Sequence, residues 1–128
     1  MHVFDDFVAV DDAAGDGSNA TYTRGGERPQ FDQQPLEAHS TISACIEAYE
    51  ATRDPVWRTA ARVTFDWFFG HNDLGLELYD AASGGCHDAL QVDRVNQNEG
   101  AESTLAFLLS LTEMRLLDYR QESFEPAM

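Results

Sequence analysis

The chain has 128 residues, 43% hydrophobic and 11% aromatic, a net charge of -15, and eight basic residues that are all arginine. That is enough apolar material for one packed domain at most. It excludes nucleic acid and anionic membranes as partners, since both are bound through a basic face, and no apolar run approaches the ~20 residues that span a bilayer. Asp5 and Asp6 stand where a secretion signal carries Lys or Arg, so a cytoplasmic location is expected. The acidic balance suits a cation, a cationic ligand or a neutral sugar. It is also what halophilic or high-GC ancestry produces, because acidic surfaces aid solubility in salt.

Residues 1–23 contain the string DDAAGDGSNAT and read as an exposed linker or poorly ordered segment. A first helix is predicted from Pro35, where the missing N–H of proline costs nothing. Leu36, His39, Ile42, Ile46 and Tyr49 recur at the helical period. This helix ends near Thr52. Asp54 then caps a second helix with Pro55 in its first turn. Trp57, Ala60, Ala61, Thr64, Trp67 and Phe68 form its buried stripe, and Gly70 is its natural stop. The short link makes the two helices an antiparallel αα-hairpin.

From His71 to about Asn98 no clear period is visible, yet the stretch holds tyrosine, leucines and cysteine, so an ordered loop is expected. A third helix runs from about Glu99 to Tyr119. Leu105, Leu108, Leu109, Thr112 and Leu116 mark one face, and Ala106, Phe107, Leu111, Met114 and Leu117 mark others. A helix apolar on most sides is surrounded by protein. The tail, residues 121–128, is polar. Cys45 and Cys86 make neither a disulfide framework nor a zinc spacing, so free thiols are expected.

If the first and third helices are parallel, their N-termini share one rim. Two segments rich in Gly pairs, amides and carboxylates meet there, residues 24–37 and 84–102. Side chains that donate and accept in fixed geometry bind neutral hydroxyls. Arg24, Gln33, Gln34, Glu37, His87, Asn96 and Asn98 are the candidate substrate-binding residues. Paired carboxylates can split a glycosidic bond, one as acid and the other as base or nucleophile. The candidates are Glu102, Glu99, Asp32 and Asp88. Glu99 and Glu102 would also serve a helix start without any chemistry, by stabilising the helix dipole. His71, Asp73, His87 and Asp88 match no metal-ligand spacing, and neither a metal nor another cofactor is expected. His39 lies on an apolar stripe and reads as a core histidine. Cys86 has only adjacent His87 as an activating partner.

The strings RGGERPQFDQQPLEA, GHNDLG, GGCHD and NQNEGAEST carry a resemblance that covers residues 24–118. There the chain resembles the C-terminal part of a bacterial and archaeal family of six-hairpin glycosidase-like toroids, often called glycosyltransferases or glycosidase-like proteins. More distantly, GHNDLG followed by NEGAESTLAF is similar to the end of inverting endoglucanases of the toroid class. In those an Asn-Glu opens an inner helix and the Glu is the general acid. That resemblance gives the role to Glu99, although the following Gly-Ala-Glu leaves Glu102 as a competitor.

The resemblance implies an all-α fold of αα-hairpins from an (α/α)6 toroid. It would be incomplete here, with a partial toroid domain over residues 24–120 and a long ordered loop. It also implies a glycan or sugar substrate, either hydrolysed or merely bound by an accessory module of glycan synthesis. A fragment of this kind would be inactive alone. Its partners would be the missing toroid half or a second copy of itself.

Overall fold

A computed structural model describes residues 31–124. The linker reading of residues 1–23, the rim residue Arg24 and the last four residues lie outside the described part.

Helix α1 spans Pro35–Thr52, with extended Gln34 before it and Pro35 in its first turn. It stops at Arg53, which adopts a left-handed conformation (φ 58°) and donates its N–H to the Tyr49 carbonyl at 2.7 Å. Asp54 follows, and its Oδ1 accepts the Val56 N–H at 3.1 Å, which satisfies one orphan donor of the next helix. Helix α2 spans Pro55–Asp66 and runs back along α1.

The chain then leaves helical geometry. The Asn72 side chain organises the first turn: Nδ2 donates to the carbonyls of Trp67 and Leu76, and Oδ1 accepts the N–H groups of Leu74 and Leu76. Single antiparallel bridges join Phe69 to Glu77 and Tyr79 to Cys86. Strands β1 (Ala89–Leu90) and β2 (Val95–Asn96) pair antiparallel, Ala89 opposite Asn96 and Leu90 opposite Val95. Helix α3 spans Ala101–Phe124.

This architecture corrects the all-α toroid expectation. The helices are accompanied by a small antiparallel sheet and several bridges, and the described residues form no toroid. The physical reason lies in residues 67–100. They lack a helical period, but they are partly buried, so their backbone N–H and C=O groups must find partners. They find them in short ladders and side-chain turns. Helix α3 begins at Ala101 rather than Glu99, and it continues to Phe124, into the segment read as a tail.

Helices α1 and α3 are parallel. His39, near the start of α1, meets Glu113 in the middle of α3, and Tyr49 and Glu50, near the end of α1, meet Gln121 and Arg120 near the end of α3. Helix α2 is antiparallel to α3, with Arg62 on Asp118 and Phe65 on Phe107. The core between them holds Ile42, Trp67, Phe68, Leu78, Leu90 and Met114, all fully buried or nearly so. From α3 the core takes Ala106, Phe107, Ser110, Met114 and Leu117. Leu105, Leu108, Leu109 and Leu116, the face most regular in sequence, point outward, with Leu105 56% exposed and Leu109 49%. Leu36 of α1 is likewise exposed, and Ala38 takes its place in the core. Among the described residues no helix is long and apolar enough to cross a membrane.

Candidate functional site

The two rim segments do come together, through backbone pairing at Gln33 and Leu90. The Gln33 N–H donates to the Leu90 carbonyl at 3.0 Å, and the Leu90 N–H to the Gln33 carbonyl at 2.8 Å. Gln33 is 4% exposed, and its Oε1 accepts the indole N–H of fully buried Trp67 at 2.9 Å. Its Nε2 reaches Asp73 Oδ2 at 3.4 Å. A buried indole N–H without an acceptor would cost ~1–3 kcal/mol, so Gln33 works for the core and is closed to a ligand. Gln34 is the N-cap residue of α1, while Asp32 and Glu37 are half-buried beside it.

The polar side chains that do converge belong to the other segment. Asp80, His87 and Glu99 each place a ligand atom within 4.8 Å of the others. Asp80 opens the turn that leads to Gly84 and Gly85. The Gly84 N–H donates to the Asp80 carbonyl, and the Asp80 N–H to the Gly85 carbonyl. His87 is held by its N–H, which donates to the Leu78 carbonyl at 2.8 Å. Glu99 lies two residues ahead of Ala101, the first residue of α3.

Each carboxylate is oriented by neighbours. Ser83 Oγ donates to Glu99 Oε1 at 2.6 Å, and Glu99 Oε2 lies 3.4 Å from His87 Nδ1. The same ring nitrogen is 3.2 Å from the Gln97 carbonyl. The side-chain hydrogen bond with Glu99 holds the Asp80 carboxyl below its ordinary value, helped by the Ala82 N–H on its Oδ1. A Cβ at Gly85 would meet Glu99 Oε1, the far end of that flexible side chain, and would move it.

Asp88 is adjacent but otherwise employed. Its Oδ1 accepts the Gly100 N–H at 2.8 Å at the entrance to α3, and its own N–H donates to the Asn98 carbonyl. Asn96 Oδ1 accepts the Asn98 N–H, and Asn98 itself is exposed. Glu102 stands exposed in the first turn of α3.

Of the sequence candidates, the fold therefore gathers Glu99 and His87, with Asn96 and Asn98 on the strand and lead beside them. It adds Asp80, which the sequence reading missed. The only available signal was its position at the head of the Ala-Ala-Ser-Gly-Gly turn, where an Asp accepts a backbone N–H two residues on. His71 and Asp73 are not part of the cluster.

Two other constellations are structural. The Cys86 thiol is fully buried, and burial, followed by the negative charges of Asp88 and Glu99, pushes it up to about 12, which makes it a poor nucleophile. Burial raises Cys45 to about 11. On the α1–α3 interface, Ser43 Oγ donates to Glu113 Oε2 at 2.7 Å, while His39 Nε2 lies 3.0 Å from Glu113 Oε1 and 3.3 Å from Ser43 Oγ. A Ser–His–acid relay needs the two ring nitrogens to face opposite partners. Here one nitrogen faces both, so the group is an interhelical clasp. Ser43 and Glu113 of this clasp also line an open groove of about 400 Å³, with Glu47, Glu50, Leu116 and Arg120.

No family model matches the chain, and no curated protein matches it.

Proposed function

We propose that the chain recognises a neutral glycan or sugar at the rim formed by Asp80, His87 and Glu99, with Asn96 and Asn98 beside them. The observation that carries this reading is the convergence of the three side chains within 4.8 Å, held by Ser83 and the Gln97 carbonyl. Carboxylates, amides and imidazole in fixed positions are the groups that pair with sugar hydroxyls. The resemblance of GGCHD and NQNEGAEST to sugar-acting proteins supports the same ligand class.

Recognition is favoured over hydrolysis by the carboxyl spacing. Asp80 and Glu99 place carboxylate oxygens within 4.8 Å of one another, whereas glycosidase carboxyls stand ~5–5.5 Å apart in retaining enzymes and ~6.5–9.5 Å in inverting ones. Asp88, a sequence candidate for the base, is tied to the Gly100 N–H.

The test is calorimetric titration of neutral oligosaccharides into the full chain in the presence of EDTA. Saturable binding is expected, weakened at least ~10-fold by Glu99→Gln, the loss expected of a charged hydrogen bond, and by less in Asn98→Ala, whose amide is neutral and exposed. If no neutral sugar binds, or both variants bind like the parent, the reading is wrong. Turnover of a glycoside by the chain would move the assignment from recognition to hydrolysis.

A second reading rests on the outer face of α3. Leu105, Leu109, Thr112, Leu116 and Tyr119 recur at intervals of four and three, the seam spacing of a coiled coil, and are exposed. That favours self-association of two copies along this helix. Sedimentation would then show a dimer that Leu109→Glu converts to a monomer; a monomeric parent at high concentration would dismiss the idea.

A further inference from the structure

We infer that Asp80, His87 and Glu99 bind one divalent transition-metal ion of the Zn²⁺ or Mn²⁺ type. The inference does not depend on the glycan reading, because it concerns the metal alone.

Three observations carry it. The first is the ligand set: one imidazole nitrogen and two carboxylate oxygens lie within 4.8 Å of one another. Two ligands at ~2.0–2.2 Å from one ion are at most ~4.4 Å apart, so small side-chain rotations collect all three. Imidazole suits zinc and its neighbours, and carboxylate suits manganese, so a mixed set points to this class of ion rather than to calcium.

The second observation is the outer shell. Metal-ligating histidines and carboxylates are usually held by a further partner that fixes their orientation. Glu99 has the Ser83 hydroxyl, a partner from outside the trio, at 2.6 Å. Gly85 completes the arrangement, since any side chain there would displace the Glu99 carboxylate.

The third observation is charge. Two carboxylates place oxygens within 4.8 Å of each other, and among the described residues no arginine ion pair involves either. The arginines that form ion pairs do so elsewhere: Arg62 with Asp118, Arg94 with Asp93 and Arg120 with Glu50. Like charges this close are unfavourable unless a proton or a cation intervenes. A doubly charged ion removes the repulsion more completely than His87 can. Three protein ligands leave coordination positions for water or another oxygen donor.

The ligands also come from three separate parts of the chain: the Asp80 turn, the His87 bridge and the lead into α3. An ion held by all three would bind the folded state and not the unfolded one, and so raise stability by mass action.

The full chain, stripped with a chelator and dialysed, would be titrated with Zn²⁺ alone, then Mn²⁺ and Ca²⁺, by calorimetry and thermal melting. One equivalent of Zn²⁺ or Mn²⁺ is expected, with a rise in melting temperature. Asp80→Asn and Glu99→Gln should each weaken binding at least 10-fold, while Asp93→Asn, on an exposed carboxylate paired with Arg94, leaves it unchanged. The result that overturns the inference is no saturable binding, or several weak equivalents that both variants retain, the signature of a merely acidic surface. Preference for Ca²⁺ would overturn the metal class.

Should a variant fail to fold, proton NMR of the unaltered chain decides. Zn²⁺ must perturb the ring signals of His87 and leave those of His39 and His71 in place; perturbation of the latter pair alone rejects the site. Loss of metal binding with sugar binding intact, or the reverse, separates this inference from the proposed function.

Discussion

The hairpin of residues 35–66 and the connecting segment of residues 67–100 are nearly equal in length and built on different principles. In the hairpin, helices satisfy their own backbone, and a periodic apolar stripe docks them. Proline and aspartate mark the boundaries, and the link is two residues long. In the connecting segment almost every turn depends on a named polar side chain reaching a backbone group: Asn72, Asp80, Ser83, Asp88 and Asn96. Its apolar residues Leu78, Cys86, Ala89 and Leu90 are buried all the same. The comparison teaches that packing alone gives a scaffold, while convergent functional groups arise where the backbone is satisfied by side chains. Those side chains are polar and already fixed, so little more is needed to turn them toward a ligand.

The comparison can be broken at the joint between the two regions. Trp67 is fully buried, packs edge-on against Phe68 at 5.1 Å, and anchors the segment to the hairpin. Trp67→Ala should cost ~3–5 kcal/mol in urea denaturation, as large-to-small changes of buried aromatics do. A loss below ~1 kcal/mol would mean that the segment docks without it.

Gln33→Ala comes next. It leaves the Trp67 indole N–H buried without its acceptor, and ~1–3 kcal/mol should be lost. Gln33→Glu restores an acceptor and should recover part of that loss. If neither variant differs from the parent, the indole has found another partner.

Asp88→Ala removes the acceptor of the Gly100 N–H, with an expected cost of ~0.5–2 kcal/mol. Hydrogen exchange should localise the change to the start of α3 and leave the α1–α2 hairpin unaltered. Exchange that rises uniformly would show instead that the segment and the hairpin unfold as one unit.

The pH dependence sharpens the contrast further. The folded state holds Asp80 below its ordinary 3.8, chiefly through the hydrogen bond with Glu99. A depressed carboxyl stabilises the fold above its unfolded value, and that contribution is lost as the pH falls through the lower folded value. Asp80→Asn should therefore flatten the acid limb of the stability curve below about pH 4, and leave its shape above pH 5 unchanged. An unaltered acid limb would mean that the carboxyl is solvated in both states.

The smallest effect is expected on the scaffold surface. Arg62 Nη2 donates to both carboxylate oxygens of Asp118 at 2.7 Å, but both side chains are about half exposed. Arg62→Ala should cost no more than ~1 kcal/mol and lose its effect in high salt. A larger, salt-insensitive loss would show that the arginine stem contributes by packing.

Much of the scaffold was legible from residues alone. Pro35, Thr52, Asp54 and Pro55 mark the α1 and α2 boundaries in sequence as they do in the fold, because capping and proline geometry are local. The face of α3 was not legible. Its leucines form two stripes, and the more regular one, Leu105, Leu109 and Leu116, is exposed, while Phe107, Met114 and Leu117 face the core. Periodicity identifies a helix but cannot choose between two apolar faces; the aromatic partners Phe65 and Phe68 make that choice. Gln33 illustrates the same limit at the site. Its residue type fits a sugar, yet the Trp67 indole claims it.

What the sequence by itself determined is the set of local, short-range events: three helices with nearly correct limits, an αα-hairpin and a polar region near the start of α3. These follow from interactions within a few residues of one another. Only the tertiary structure decided that the connecting segment pairs into a small sheet, that no toroid forms within the described residues, and that Asp80 joins His87 and Glu99. Those outcomes depend on backbone groups and carboxylates far apart in the chain, which reach one another only once burial obliges each polar atom to find a partner.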